Sequence, residues 1–160
     1  AGLARAFGMH VIGIKRNLSG SADIADEVVR QDALLSMLPR ADIVVLTCPL
    51  TPQTEGLINA GALAAMKPTA VLVNVARGRV VEETALISAL EAGRIAGAAL
   101  DCVVEEPLPA GSPLWAMPNV LITPHTAGET QRYEANVVDI LLDNLGRLWS
   151  GTTSLRNEIV

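Results

Sequence analysis

Three side chains in this sequence can handle a ketone beside a carboxylate, and each lies just past an apolar run. Arg77 closes the run in "AVLVNVARGRVV" (70–81), Glu106 lies in "EEPLP" after "GAALDCVV", and His125 follows "NVLITP". A guanidinium can grip a carboxylate through two parallel hydrogen bonds and polarise the neighbouring carbonyl, where a lysine offers only a point charge. An imidazole of near-neutral pKa can give a proton to a developing alkoxide, or take it back in reverse. A carboxylate beside that imidazole orients it and favours its charged form. Asp101 is a fourth polar residue directly after an apolar run, and Gly78, lacking Cβ, is expected to let the backbone approach a ligand closely. Taken singly, Arg77 reads equally well as a surface arginine, Glu106 as solvated loop, Asp101 as a turn cap and His125 as a helix-entry residue. Their shared placement past successive apolar runs argues for a site.

The elements that must position these residues alternate along the chain. Strands are expected at 11–14, 27–29, 42–47, 70–75, 95–100 and 120–123. Between them fall a helix over 1–7 stopped by Gly8, one over 33–38 capped by Asp32 and ended by Pro39, and one over 60–66 capped by Asn59. A further helix over 82–91 stops at Gly93, and a long amphipathic helix spans 129–149, with Tyr133, Val137, Ile140, Leu141 and Leu148 near one face. This alternation predicts an α/β fold with a doubly wound parallel sheet, Rossmann-like, whose ligands bind outside the carboxyl ends of the strands. Five groups fall at such ends: Lys15 and Arg16, the segment from Cys48-Pro49 to Thr51 and Thr54, Arg77-Gly78, Asp101 to Glu106, and His125. The hydride for a ketone reduction must come from a nicotinamide, which this class of sheet commonly holds.

Composition narrows the partners. With 160 residues the chain is one domain by size, and 50% hydrophobic content with 2% aromatic suits strands buried on both faces. A net charge of −5 without a basic block argues against nucleic acid as a partner. No uncharged apolar stretch approaches the roughly 18 residues of a membrane span, so no membrane partner is expected, and no secretory leader is read. Cys48 and Cys102 form no CxxC pair and read as reduced core thiols; with two histidines and no Cys/His cluster, no metal is expected. A cytoplasmic location fits these thiols.

The ordered motifs "NVARG", "ALDCVVEEPLP", "SPLWAMPNVLITPH" and "HTAG", with "ADIVVLTCPLTPQTEGLIN" before them, resemble the nucleotide-binding domain of the D-isomer-specific 2-hydroxyacid dehydrogenases. The resemblance runs over essentially the whole chain. It implies that Arg77 orients the substrate, that His125 is the general acid/base, and that Glu106, directly before Pro107, is the histidine's partner. It further implies that Asp101 contacts the nicotinamide end of the cofactor, that Val75, Ala76 and Gly128 offer backbone contacts to it, and that Pro49 and Thr54 line it. The activity implied is hydride transfer between NAD(P)H and a small 2-oxoacid or D-2-hydroxyacid, such as glyoxylate or hydroxypyruvate, by a homodimer. Glutamate at 106, in place of the glutamine of the family's formate dehydrogenases, argues for 2-oxoacid chemistry.

The opening residues read as the second half of a helix leading straight into a strand. An N-terminally truncated fragment is therefore expected, lacking the first strand, the family's glycine-rich turn and the separate substrate domain, and inactive alone. On this reading residues 1–128 are the dinucleotide-binding domain, and 129–160 are a helix and tail returning toward the absent substrate domain. Many relatives grip the ribose 2′-hydroxyl with an acidic residue at the end of the second strand; here Lys15 and Arg16 stand instead, which favours NADP over NAD. A corepressor-like regulator of the same family is the alternative function. Adenosylhomocysteine hydrolase-like domains and methyltransferases share the alternation but do not predict Arg77, Glu106 and His125 together.

Overall fold

The apolar runs fold as short parallel strands, and the polar residues that follow them gather along one sheet edge. The computed structural model describes residues 1–16, 18 and 25–157. Strand β1 (Ile12–Lys15) pairs with β2 (Glu27–Arg30), placing Lys15 opposite Arg30. Strands β3 (Ile43–Leu46), β4 (Val71–Asn74), β5 (Gly97–Leu100) and β6 (Val120–Ile122) form a four-stranded parallel sheet in that order. Its register aligns Leu46, Asn74, Leu100 and Ile122 in one row at the carboxyl edge. The next residue of each strand therefore enters a loop at the same edge.

The helices are α1 (Gly2–Ala6), α2 (Leu34–Met37), α3 (Ala60–Ala65), α4 (Glu83–Glu91) and α5 (Tyr133–Trp149). Asn59 caps α3 as expected, its side chain accepting from the Ala62 N–H at 3.0 Å; such a cap contributes about 1 kcal/mol. Gly93, at φ +61°, ends α4 in a double reverse turn: its own N–H donates to Leu90 and the Arg94 N–H to Ala89. Ala62 and Leu63 of α3 and Leu86 and Leu90 of α4 are buried in one core with Leu72 of β4 and Leu100 of β5. That core covers one face of the four-stranded sheet. Ile43 and Val45 of β3 and Leu121 of β6 remain about half exposed or more.

The chain divides into two compact units, Ala1–Pro124 and His125–Val160. Among the described residues, strands β1 to β6 belong to the first, and α5 to the second, where its apolar side chains Val137, Leu141, Leu142 and Trp149 are exposed.

The Rossmann-like parallel α/β fold stands, its strands laid out as two parallel sheets, β1-β2 and β3-β4-β5-β6. Three sequence expectations change. Asp32 caps nothing: it lies inside a 3₁₀ turn (Gln31–Ala33) and pairs with Arg30 at 3.6 Å. Pro39 does not stop the helix abruptly but enters a second 3₁₀ turn (Leu38–Arg40), near whose start its missing N–H costs nothing. The long helix begins at Tyr133 rather than 129, since the Glu129 and Tyr133 N–H groups close separate turns onto Thr126 and Thr130. The loop read at 15–21 and the end of the tail lie partly outside the described residues.

Candidate functional site

The segment after β4 is built around a buried amide. Asn74, 1% exposed, accepts from the Ala76 N–H at 3.0 Å and donates to the Arg77 carbonyl at 3.0 Å. Its carboxamide thus closes the Val75–Arg77 bend from inside. Arg77 is on the exposed side of that bend, where its Nη1 donates to the Ala76 carbonyl at 2.6 Å. This bond engages one corner of the guanidinium and turns the fork along the loop.

The segment after β5 meets this bend through Gly78. A Cβ at that position would lie 1.9 Å from the Val103 carbonyl oxygen and 2.5 Å from the Val104 nitrogen. The glycine is therefore required by another stretch of backbone, which corrects the expectation that it makes room for a ligand. Two carboxylates fix that stretch: Glu106 Oε1 accepts from the Val103 N–H at 3.1 Å, and Glu83, at the start of α4, accepts from the Val104 N–H at 3.0 Å. Asp101 is buried, 6% exposed; its N–H donates to the Asn74 carbonyl at 2.9 Å, and its Oδ1 accepts from the Thr123 hydroxyl at 2.5 Å. Burial, and then the negative charges of Glu106 and Asp101, push the Cys102 thiol up to about 11, with Arg77 pulling the other way. Asp101 directly follows β5, Glu106 bonds the Val103 N–H beyond it, and Gly78 packs against that same stretch right after Arg77, so the structure sets these three residues on two touching loops.

A cleft of about 510 Å³ opens beside the bend at the carboxyl ends of β3 and β4, walled by Cys48, Pro49, Leu50, Val75, Ala76 and Arg77. This is where the strand-end rule places a ligand. Burial raises the Cys48 thiol above its ordinary pKa, so it meets the cleft as a neutral group. Pro49 and Val75 stand in this wall. Ala76 does too, but its N–H is taken by Asn74 and its carbonyl by Arg77, leaving a ligand only the second lone pair of that oxygen. Thr54 is not in the wall; 7% exposed, it donates to the Pro49 carbonyl at 2.6 Å and accepts from the Thr51 N–H at 2.8 Å, acting on the cleft by holding Pro49.

Lys15 and Arg16 stand at the carboxyl edge of the two-stranded sheet, beside Arg30, and are not in this cleft. His125 opens the second unit with a left-handed backbone (φ 56°), and Gly128 follows in an exposed turn. Among the described residues no group of three or more His, Cys, Asp or Glu is arranged to hold a metal ion, and no helix is long and apolar enough to cross a membrane.

Asn74, Glu83 and Thr123 were not singled out from sequence. The available signal was for Asn74 alone: a polar residue ending "VLVN", at a position where strand alternation puts the side chain in the core.

Residues 1–127 match the D-isomer specific 2-hydroxyacid dehydrogenase family in its NAD binding domain. A glyoxylate/hydroxypyruvate reductase B of Pectobacterium carotovorum is 44% identical over 116 residues, covering 72% of this chain and 36% of that protein. The crystal structure of a D-isomer specific 2-hydroxyacid dehydrogenase from Xanthobacter autotrophicus, in complex with NADPH and MES, superposes with a TM-score of 0.86 at 41% identity, covering 99% of this chain and 63% of that one. An NADPH-dependent glyoxylate/hydroxypyruvate reductase from Sinorhizobium meliloti, in complex with NADP and sulfate, gives a TM-score of 0.84 at 31% identity, covering 97% of this chain and 49% of that one. The chain spans less than two thirds of each of these proteins.

Proposed function

Because the chain belongs to the D-isomer specific 2-hydroxyacid dehydrogenase family, as its NAD binding domain, we propose that its protein transfers a hydride between NAD(P)H and a small 2-oxoacid or D-2-hydroxyacid. The observation that carries this reading is the packing of the Arg77-Gly78 bend against the loop that holds Asp101 and Glu106, past the ends of two paired strands.

The cleft suits the nicotinamide half of a dinucleotide. Pro49, Leu50, Val75 and Ala76 offer apolar surface to a flat ring. The role of Asp101 toward the nicotinamide end rests on its motif position; Thr123 holds its carboxylate. Lys15 and Arg16 put two cations past the end of β1, where a phosphate would be attracted, which supports NADP over NAD. When bound, the dinucleotide supplies the hydride. Arg77 holds the substrate carboxylate through its fork and draws electron density from the adjacent carbonyl. An imidazole nitrogen of His125 gives the proton to the alkoxide oxygen in reduction and removes it in oxidation. Glu106 orients that imidazole and favours its protonated form. Gly128 gives a backbone contact to the dinucleotide. The roles of Glu106, His125 and Gly128 rest on their motif positions. Glyoxylate and hydroxypyruvate are the substrates that the relatives' names favour, the exposed apolar side of α5 supports a homodimer as the working form, and the two unpaired thiols fit a cytoplasmic location.

The test is turnover by the full-length protein with NADPH and with NADH, offered glyoxylate, hydroxypyruvate and pyruvate in turn. Reduction that prefers NADPH is expected. Tight dinucleotide binding without turnover on any 2-oxoacid would instead favour a dinucleotide-controlled regulator.

A further inference from the structure

We propose that Asn74 is the positioning residue of Arg77: its buried carboxamide fixes the arginine's backbone so that the guanidinium is aimed before a substrate arrives. The inference rests on the reading of Arg77 as the substrate-carboxylate ligand. Burying an amide in a core of Leu and Val is unfavourable unless both its ends are bonded. Here both are, and to groups two and three residues further along the chain: the Ala76 N–H and the Arg77 carbonyl, each at 3.0 Å. Neither bond belongs to the β4 ladder, in which Asn74 lies opposite Leu100 and Leu46. The side chain instead closes the bend that forms one wall of the cleft.

Fixing the Ala76 peptide has a second effect. The Arg77 Nη1 donates to the carbonyl of that same residue at 2.6 Å. The chain of bonds therefore runs from Asn74 Oδ1 to the Ala76 N–H, then from the Ala76 carbonyl to the guanidinium. One buried amide sets both the root and the tip of the arginine. Asn74 reaches the next segment through its main chain only, its carbonyl accepting from the Asp101 N–H at 2.9 Å, a contact that side-chain substitutions leave in place.

Asn74→Asp provides a readout that a merely structural residue would not give. An ionised aspartate still accepts from the Ala76 N–H but turns a lone pair toward the Arg77 carbonyl. When protonated it carries one O–H donor and one acceptor, matching the amide. Burial raises its pKa into an accessible range. In the full-length enzyme, kcat/KM of N74D for glyoxylate should fall about tenfold below wild type at pH 8, and this ratio should recover toward one at pH 5. Asn74→Ser, neutral and too short to span both groups, should lose about tenfold at both pH values, with NADPH affinity held within about threefold.

Arg77→Ala separates the two readings. If R77A lowers kcat/KM at least as far as N74S, while N74D recovers at pH 5, the inference stands. If R77A is impaired but N74S is not, or if the N74D ratio is flat with pH, the positioning role is wrong and the arginine reading survives. If R77A keeps full activity, the arginine reading itself fails.

Discussion

Replacing Gly78 with alanine tests whether the Arg77 and Glu106 segments are held in contact by backbone alone. The glycine's φ is not in the left-handed region, so the substitution brings no backbone strain of its own. Taken by itself it would stabilise the protein by about 0.4–1 kcal/mol through the unfolded chain. The added methyl, however, meets the Val103 carbonyl oxygen at 1.9 Å and its carbon at 2.0 Å, where real Cβ atoms stay beyond 3.0 Å. The two segments must separate by about 1 Å. Overpacking of this kind costs about 1–3 kcal/mol. The separation also strains the Val103 bond to Glu106 and the Val104 bond to Glu83, worth about 1 kcal/mol each. A net loss of about 3 kcal/mol lowers Tm by roughly 10 °C in a unit of this size. An arginine displaced by about 1 Å reduces kcat/KM on the order of a hundredfold. Gly93 is the internal control: it is left-handed (φ 61°), with nothing within 4 Å of its added Cβ, so Gly93→Ala costs about 1 kcal/mol and leaves catalysis unchanged. The assays are thermal melting and steady-state kinetics on both variants of the full-length protein. A G78A variant no less stable and no less active than G93A would refute the reasoning.

Four further outcomes are expected. Thr123→Val removes the hydroxyl that donates to Asp101 at 2.5 Å and should weaken dinucleotide binding about tenfold, measured by NADPH fluorescence titration, with little change in fold by circular dichroism. Cys102, pushed up to about 11 by burial and the neighbouring carboxylates, stays protonated at pH 8, so iodoacetamide followed by peptide mass spectrometry should label the half-buried Cys48 first. Because folding raises that thiol pKa, its contribution to stability is whole below the ordinary thiol value and is lost as pH rises toward about 11; a Cys102→Ala variant should lose less stability over that range in pH-dependent melts. Exchanging Lys15 and Arg16 together for glutamate should lower the NADPH-to-NADH preference at least tenfold in kcat/KM, whereas an unchanged ratio would remove both cations from the cofactor site.

Much of this architecture can be read before folding, for identifiable reasons. Strands such as "IVVL" and "AVLV" are unbroken apolar runs bounded by punctuation, and Asn59 and Gly93 act through local backbone geometry that a few residues define. Arg77, Asp101 and Glu106 are legible as strand-end residues because strand alternation alone places them at one edge. The illegible part depends on partners distant in the chain. Gly78 faces Val103, Glu83 faces Val104, and Thr123 faces Asp101, pairings made only when β4, β5 and β6 have aligned. Asp32 shows the opposite failure: a good capping residue in isolation, it loses that role because the chain enters α2 through a 3₁₀ turn. The split into two sheets was equally hidden, since periodicity predicts strands but not which of them pair.

The most direct test of the central claim is to supply the full-length protein with NADPH carrying deuterium at the transferable C4 position, together with glyoxylate, and to weigh the product. The account predicts glycolate bearing one deuterium on C2, formed at a rate that falls sharply in Arg77→Ala. Glycolate without the label, or bound NADPH with no reduction of glyoxylate, hydroxypyruvate or pyruvate, would contradict it.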